Sequence, residues 1–503
     1  MSEVSVPNGG TVEGSSSVRE IEKRSIDWVP HNERHGKAWH LGPVWFSGNA
    51  ELTTAATGVL CISLGGNLIW TLIAMALGVV FGTFFSAFHS AQGPQLGLPQ
   101  MIQSRAQFGY LGVAIFVLPA IVFNYAGYNV FNGLLAAQAI DNVSGLDINI
   151  ALALVSAVGA AAAIWGYNLI HLSQRWLTYG FIVFFGIYTI GVLATIGLPA
   201  GAFDLGAFAA TPFFASFGLV VSYQLGWAPY VSDYSRYLPA NIAVKDTLFW
   251  TYMGLAVGGF WMFAMGALIA APIADLGPST IDAIRSTGDD IFGSFGQIVL
   301  LLSVPALVMI LAMNMYGGSL VLISMVDSFR PLKVQVSHRV IGILVIAVAS
   351  LIGGIYANAD FLANYNNLIV ILLYLFTPWT AVNLVDYFLV RRGHYVIADI
   401  FKPDGIYGRW GWRGIIAYLI GFIAMIPFFV VGTWFTGPIA KQLNSTDLSI
   451  FIGLPVSAIA YILLARSLDL RQELALAQAE TAANIEAAEA ADHERRGETD
   501  ATL

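Results

Sequence analysis

Glu51 is the residue whose chemistry most needs explaining. It stands near the middle of an apolar run, residues 41–64, where an ionisable side chain is costly and marks a functional site by default. Such a carboxyl can hold a transported proton, accept hydrogen bonds from an amine of a solute, or bond the free amides of an interrupted helix. Three other apolar runs place polar or aromatic groups at the same depth. Residues 211–236 carry Ser222, Tyr223, Gln224, Gly226, Trp227 and Pro229 at their centre, 110–140 carry Phe123, Asn124, Tyr125 and Tyr128, and 295–326 carry Asn314. Asn49 lies two residues before Glu51. The Trp227 indole offers a flat face to a flat ring, and base–aromatic stacking is worth ~1–3 kcal/mol. Asn314 and Gln224 can each donate and accept in one plane, matching an amide-like edge of a heterocycle, or they can bond neighbouring helices. A helix turns about 100° per residue, so the four span-3 residues cannot all face one cavity.

The elements that hold these groups follow from composition. Only 11% of the 503 residues are charged and 57% are hydrophobic, with mean hydropathy +0.70. Soluble domains carry about 25% charged residues, so an all-α membrane protein is expected. A span needs ~20 mainly apolar residues, and twelve segments qualify: 41–64, 67–92, 110–140, 148–170, 176–198, 211–236, 246–274, 295–326, 338–358, 365–390, 412–436 and 446–467. Gly226 and Pro229 should break the sixth, and freed backbone groups in hydrocarbon must find partners or line a cavity. Such a break at mid-depth is the pattern of a transporter binding site.

Twelve spans put both termini on one side. With that side cytoplasmic, only Arg285 and Lys441 of the 23 Lys and Arg fall outside, as the positive-inside rule requires. The expected organisation is a cytoplasmic tail 1–40, a transmembrane transporter domain 41–467 and a cytoplasmic tail 468–503, in a plasma or cytoplasmic membrane. Residues 1–18 read as disordered, and no cleavable signal peptide is apparent. The Ala/Glu/Gln-rich stretch 468–492 reads as a soluble helix in a solvated tail. Cys61, the single cysteine, excludes an internal disulfide and a cysteine cluster. The eight histidines fall in tails, loops or span ends without metal-ligand spacing. Neither a cofactor, a bound metal nor an enzymatic constellation is therefore expected, and a buried aromatic site argues against an open channel. At the span ends, Asp233 with Arg236, and Asp386 with Arg391 and Arg392, can gate an inner mouth by ion pairs or simply anchor at the interface.

Four stretches carry a likeness to a known family: WFSGNAEL (45–52), GPQLGLPQMIQSRAQFG (93–109), GWAPYVSDYSRYLP (226–239) and PWTAVNLVDYFLVRRGHY (378–395). The second and third are specific. With them the chain resembles the nucleobase:cation symporter-1 family, in particular its purine–cytosine permease branch, from roughly 40 to 465. The resemblance implies a leucine-transporter-like fold. Spans 1–5 (about 41–198) and 6–10 (about 211–390) would be inverted repeats with helices 1 and 6 broken, followed by two extra helices (about 412–467). It implies a planar heterocycle between spans 1, 3, 6 and 8, stacked on Trp227 and on a span-3 ring that is here Phe123 or Tyr125, with Asn314 bonding the ring. Sodium-coupled relatives hold their ion with span-1 carbonyls and with hydroxyls one to two turns before that asparagine. Here Val308 and Met309 stand in those places, which favours H⁺ over Na⁺.

The reading is secondary active import of a nucleobase, cytosine and/or purines, coupled to protons. Trp227, Gly226 and Asn314 would bind the base, with Gln224, Phe123, Asn124 and Asn49 around it and Glu51 coupling. The alternative keeps the fold and changes the cargo to allantoin, hydantoin, uracil, thiamine or pyridoxine, or the ion to Na⁺. The expected partners are a small planar heterocycle and the lipid bilayer, not nucleic acid.

Overall fold

Long apolar runs become helices that stop where Gly, Pro or polar clusters interrupt them. The computed structural model describes residues 26–165, 167–273, 280–330, 332 and 335–484; the expectations for 1–18 and 485–492 lie outside these. A helix stands in each of the twelve expected segments. Span 1 is two helices, Leu41–Asn49 and Leu52–Ser63, and span 2 is Leu68–Ser90. Span 3 comprises Tyr110–Phe116 and Leu118–Ser144, span 4 is Ile148–Trp165 and span 5 is Tyr167–Thr195. Span 6 is again two helices, Ala210–Leu225 and Ala228–Ser235, followed by span 7, Val244–Ala270. Span 8 is Phe295–Phe329, span 9 Val336–Ala357 and span 10 Phe361–Val385, which runs into a π turn, Asp386–Val390. Spans 11 and 12 are Trp412–Met425 and Ser449–Ala465. Spans 2, 3, 4, 7 and 8 are each long and apolar enough to cross a bilayer unaided, as is the run Val336–Val390 that holds spans 9 and 10.

Two expectations need correction. The run 412–436 is not one helix: Pro427 ends it, and Val430–Val431 pairs antiparallel with Phe435–Thr436 in a small hairpin. Proline removes a helical donor and β-branched valines favour extended backbone. The described part of the stretch after span 12 is the expected helix and is largely exposed, but it is not free. This helix, Leu470–Asn484, bends 90° from span 12 and docks. Glu473 pairs with Arg391 at 2.6 Å, and the Glu480 carboxylate accepts the backbone N–H groups of Ile397 and Ala398 at 2.5 and 2.7 Å.

The helices sort into two packed groups. Span 7 lies against both halves of span 1 and against span 2, which in turn packs on span 6; spans 3, 4, 8 and 9 pack on one another. Small residues bring the first group together, as they do wherever membrane helices approach closely. A Cβ on Gly58 would lie 2.0 Å from the Phe263 carbonyl oxygen, and one on Gly266 would lie 1.9 Å from that of Ala55. Gly58→Ala is expected to cost about 1–3 kcal/mol by overpacking and to lower the melting temperature in detergent. Gly186→Ala, whose Cβ meets nothing within 4 Å inside a helix that alanine favours, should not lower it.

The specific motif 93–109 forms short turns of helix, Gln92–Leu96, Gln100–Gln103 and Arg105–Phe108. Gly97 takes a left-handed φ of 66°, and a Cβ there would meet the Arg34 guanidinium at 2.1 Å. Arg34 is buried and donates to the carbonyls of Val29 and Pro94 at 2.8 and 2.7 Å. Burial pulls its guanidinium down to about 10, which leaves it cationic at neutral pH. Residues 26–37 thus latch onto this loop and onto the end of span 6, where the His35 N–H donates to the Tyr237 carbonyl at 2.7 Å.

Candidate functional site

Both broken helices are interrupted beside the same cavity. In span 1, Glu51 is extended (φ −147°, ψ 167°) between the two halves. In span 6 the break is milder than a glycine suggests: Gly226 (φ −56°) and Trp227 (φ −79°) stay right-handed. Pro229 withholds an N–H, and the loosened carbonyls find side-chain donors. Ser86 Oγ donates to the Gln224 carbonyl at 2.6 Å and Asn124 Nδ2 to the Gly226 carbonyl at 3.2 Å, as backbone in hydrocarbon requires.

Between the breaks lies a cavity lined by Glu51, Tyr128, Asn132, Tyr223, Gly226, Trp227, Tyr230, Ile310 and Asn314. Four of the predicted residues therefore line it: Glu51, Gly226, Trp227 and Asn314. The Trp227 indole N–H donates to Asn49 Oδ1 at 2.8 Å. Asn49 Nδ2 in turn donates to Gln224 Oε1 at 3.0 Å and to the Leu255 carbonyl at 2.8 Å. Asn49 and Gln224 thus fix the edge of the indole from behind instead of lining the cavity. Gly48 gives the ring room: a Cβ there would sit 3.3 Å from its far carbon. Trp45 meets Trp227 edge-on with centroids 5.9 Å apart.

The opposite wall corrects the span-3 expectation. Phe123 is 40% exposed and faces away from the cavity. Tyr125 is buried against Tyr230, with centroids 4.3 Å apart. The span-3 ring at the cavity is Tyr128, on the same helix face as Asn124 and Asn132, four residues to either side. Asn124 Nδ2 reaches the Tyr230 hydroxyl at 3.3 Å, and that hydroxyl donates to Asn314 Oδ1 at 3.2 Å. Tyr223, noted in the sequence as a mid-depth group, also lines the cavity, whereas Tyr230, Asn132 and Ile310 are lining residues that were not singled out from sequence. Tyr230 had a signal, since it lies one turn beyond Trp227.

Glu51 has two unlike oxygens. Oε1 accepts from the Tyr223 hydroxyl at 3.2 Å, and that hydroxyl shares a further hydrogen bond with Thr54 at 2.7 Å. Among the described residues Oε2 has no hydrogen-bond partner, and neither does the Tyr128 hydroxyl. Buried polar atoms are ordinarily bonded, so these two are open to a polar solute or a proton. Glu51 also borders a second small pocket, with Ser47, Ala50, Leu177, Phe181, Ala306, Met309 and Ile310. This pocket lies between spans 1, 5 and 8. Span 8 contributes no hydroxyl to it. Met309 lines it, whereas Val308 does not.

The cavity is small, ≈ 20 Å³, about enough for one water molecule. A heterocycle therefore enters only after the lining side chains or the helices part.

The family model described as permease for cytosine/purines, uracil, thiamine, allantoin matches residues 28–453. The chain belongs to this cytosine/purine permease family. It is 36% identical over 445 residues to YxlA of Bacillus subtilis (strain 168), named as a purine-cytosine permease, across 88% of this chain and 96% of that one. It is 26% identical over 471 residues to the purine-cytosine permease fcyB of Emericella nidulans, across 88% of each. Among solved structures, the nucleobase-cation-symport-1 family transporter Mhp1, closed with bromovinylhydantoin bound, superposes with TM-score 0.69 at 16% identity. The match covers 90% of this chain and 97% of that one. This permease therefore has the leucine-transporter-like fold and is a multi-pass integral membrane protein, not an enzyme.

Proposed function

We propose that this permease imports a nucleobase, cytosine and/or purines, by secondary active transport coupled to protons, from a plasma or cytoplasmic membrane with both termini cytoplasmic. One observation carries the coupling: Glu51 is the single carboxylate on both the aromatic cavity and the neighbouring pocket between spans 1, 5 and 8. A proton taken up there changes the charge facing the solute and the charge between the two helix groups at once. In this reading the base stacks on the Trp227 face and bonds Asn314, and the span 1/2/6/7 group rocks against the rest. The absence of a span-8 hydroxyl from the pocket supports H⁺ over Na⁺. The two relatives named above as purine-cytosine permeases support cytosine or a purine as the cargo.

Proteoliposomes given labelled cytosine or adenine test this, with a pH gradient or a Na⁺ gradient imposed separately. Accumulation under the pH gradient alone is expected. Accumulation under Na⁺ alone would transfer coupling to the ion and reduce Glu51 to a binding or structural group. Transport of neither base by folded protein would move the cargo to another heterocycle, and competition with the alternatives would then identify it.

A further inference from the structure

We propose that the groove where spans 10 and 12 meet the helix Leu470–Asn484 is a binding site for the headgroup of an anionic phospholipid. The groove, of about 520 Å³, is lined by Arg391, Arg392, His394, Arg466 and Glu473 together with leucines and Ile462. Its level follows from the elements: span 10 ends in the π turn at Val390 and span 12 ends at Ala465. The following helix turns 90° from span 12, so it runs along the bilayer surface instead of into it. The groove therefore opens where phosphates lie.

The charges facing it are not equivalent. Arg391 is committed, pairing with Asp386 at 2.5 Å and Glu473 at 2.6 Å. His394 is engaged through Nδ1 with the Arg391 carbonyl at 3.3 Å. Arg392 and Arg466 are exposed and have no hydrogen-bond or ion-pair partner among the described residues. Arg392 moreover holds a left-handed φ of 51°, which a non-glycine residue rarely adopts. Guanidinium is the cation best matched to phosphate, since its fork donates two parallel hydrogen bonds.

The apolar side selects the source of that phosphate. Leu389 is 60% exposed, and Ile462 and Leu474 also stand exposed on the same groove. A free anion gains nothing from these side chains, whereas an acyl chain covers them. Basic pockets between spans that bind lipid headgroups follow the same logic.

The test uses the full chain in nanodiscs of phosphatidylcholine with and without phosphatidylglycerol, followed by native mass spectrometry. A retained phosphatidylglycerol adduct is expected for the native protein and its loss for R392Q/R466Q. Each single variant should retain less adduct than the native protein. Equal melting temperatures in phosphatidylcholine alone separate loss of the site from loss of the fold, and if the double variant melts lower, the single variants decide. Equal retention of both lipids, or an adduct unchanged by the substitutions, would overturn the proposal. Displacement of the adduct by inorganic phosphate would overturn it too, by making the groove a site for free anions.

Discussion

Glu51→Gln is expected to abolish accumulation driven by a pH gradient while leaving exchange of substrate across the membrane intact. A pH difference of one unit is worth about 1.4 kcal/mol per proton, so coupling one proton to one base allows about tenfold accumulation at equilibrium. Glutamine has the shape of a protonated glutamate, and its carbonyl oxygen can still accept from the Tyr223 hydroxyl, as Glu51 Oε1 does at 3.2 Å. It cannot gain or lose a proton, so the accumulation ratio should fall to about one. The retained exchange distinguishes this from misfolding, because an unfolded carrier exchanges nothing. Full pH-driven accumulation by Glu51→Gln would place the coupling proton elsewhere. Loss of exchange as well, in protein that melts normally, would assign Glu51 to substrate binding.

The parts legible in sequence were those whose signal is local. A carboxyl inside an apolar run, a Gly-Trp-Ala-Pro interruption and an asparagine at mid-span each announce themselves against a uniform background. Glu51, Trp227 and Asn314 do border one cavity. What was not legible depends on the rotation of a helix about its own axis. Phe123 and Tyr128 belong to one span, and only packing decides that the first faces outward and the second inward. The spacing of Asn124, Tyr128 and Asn132 was a usable clue: three polar residues four apart form a stripe that lipid would not tolerate. Asn49 and Gln224 were recognised as polar residues of the site, but that they bond each other and the Leu255 carbonyl is a long-range fact. The same holds for Leu470–Asn484. Glu473 and Glu480 are seven residues apart and so share a helix face. Their partners, Arg391 and the N–H groups of Ile397 and Ala398, lie about 80 positions earlier in the chain.

Trp227→Ala should weaken substrate binding by about 5- to 150-fold, the equivalent of the ~1–3 kcal/mol of one base–aromatic stack. The prediction is specific because the indole does two separable things. Its face lines the cavity, and its N–H donates to Asn49 Oδ1 at 2.8 Å. Trp227→Phe keeps an aromatic face, though a smaller one, and loses the N–H, which frees one acceptor of a residue whose own amide remains held by Gln224 and Leu255. A net hydrogen bond is worth about 0.5–1.5 kcal/mol, so Trp227→Phe should cost roughly tenfold or less. The ordering native, then Phe, then Ala in the KM for uptake is therefore the signature of stacking. Asn49→Ala adds a check: with the indole intact but its edge unheld, KM should rise by about as much as in Trp227→Phe. Phe and Ala variants that lose maximal rate equally, with KM unchanged, would make Trp227 a packing element of the span 6 break. The stacking face would then belong to Tyr128 across the cavity.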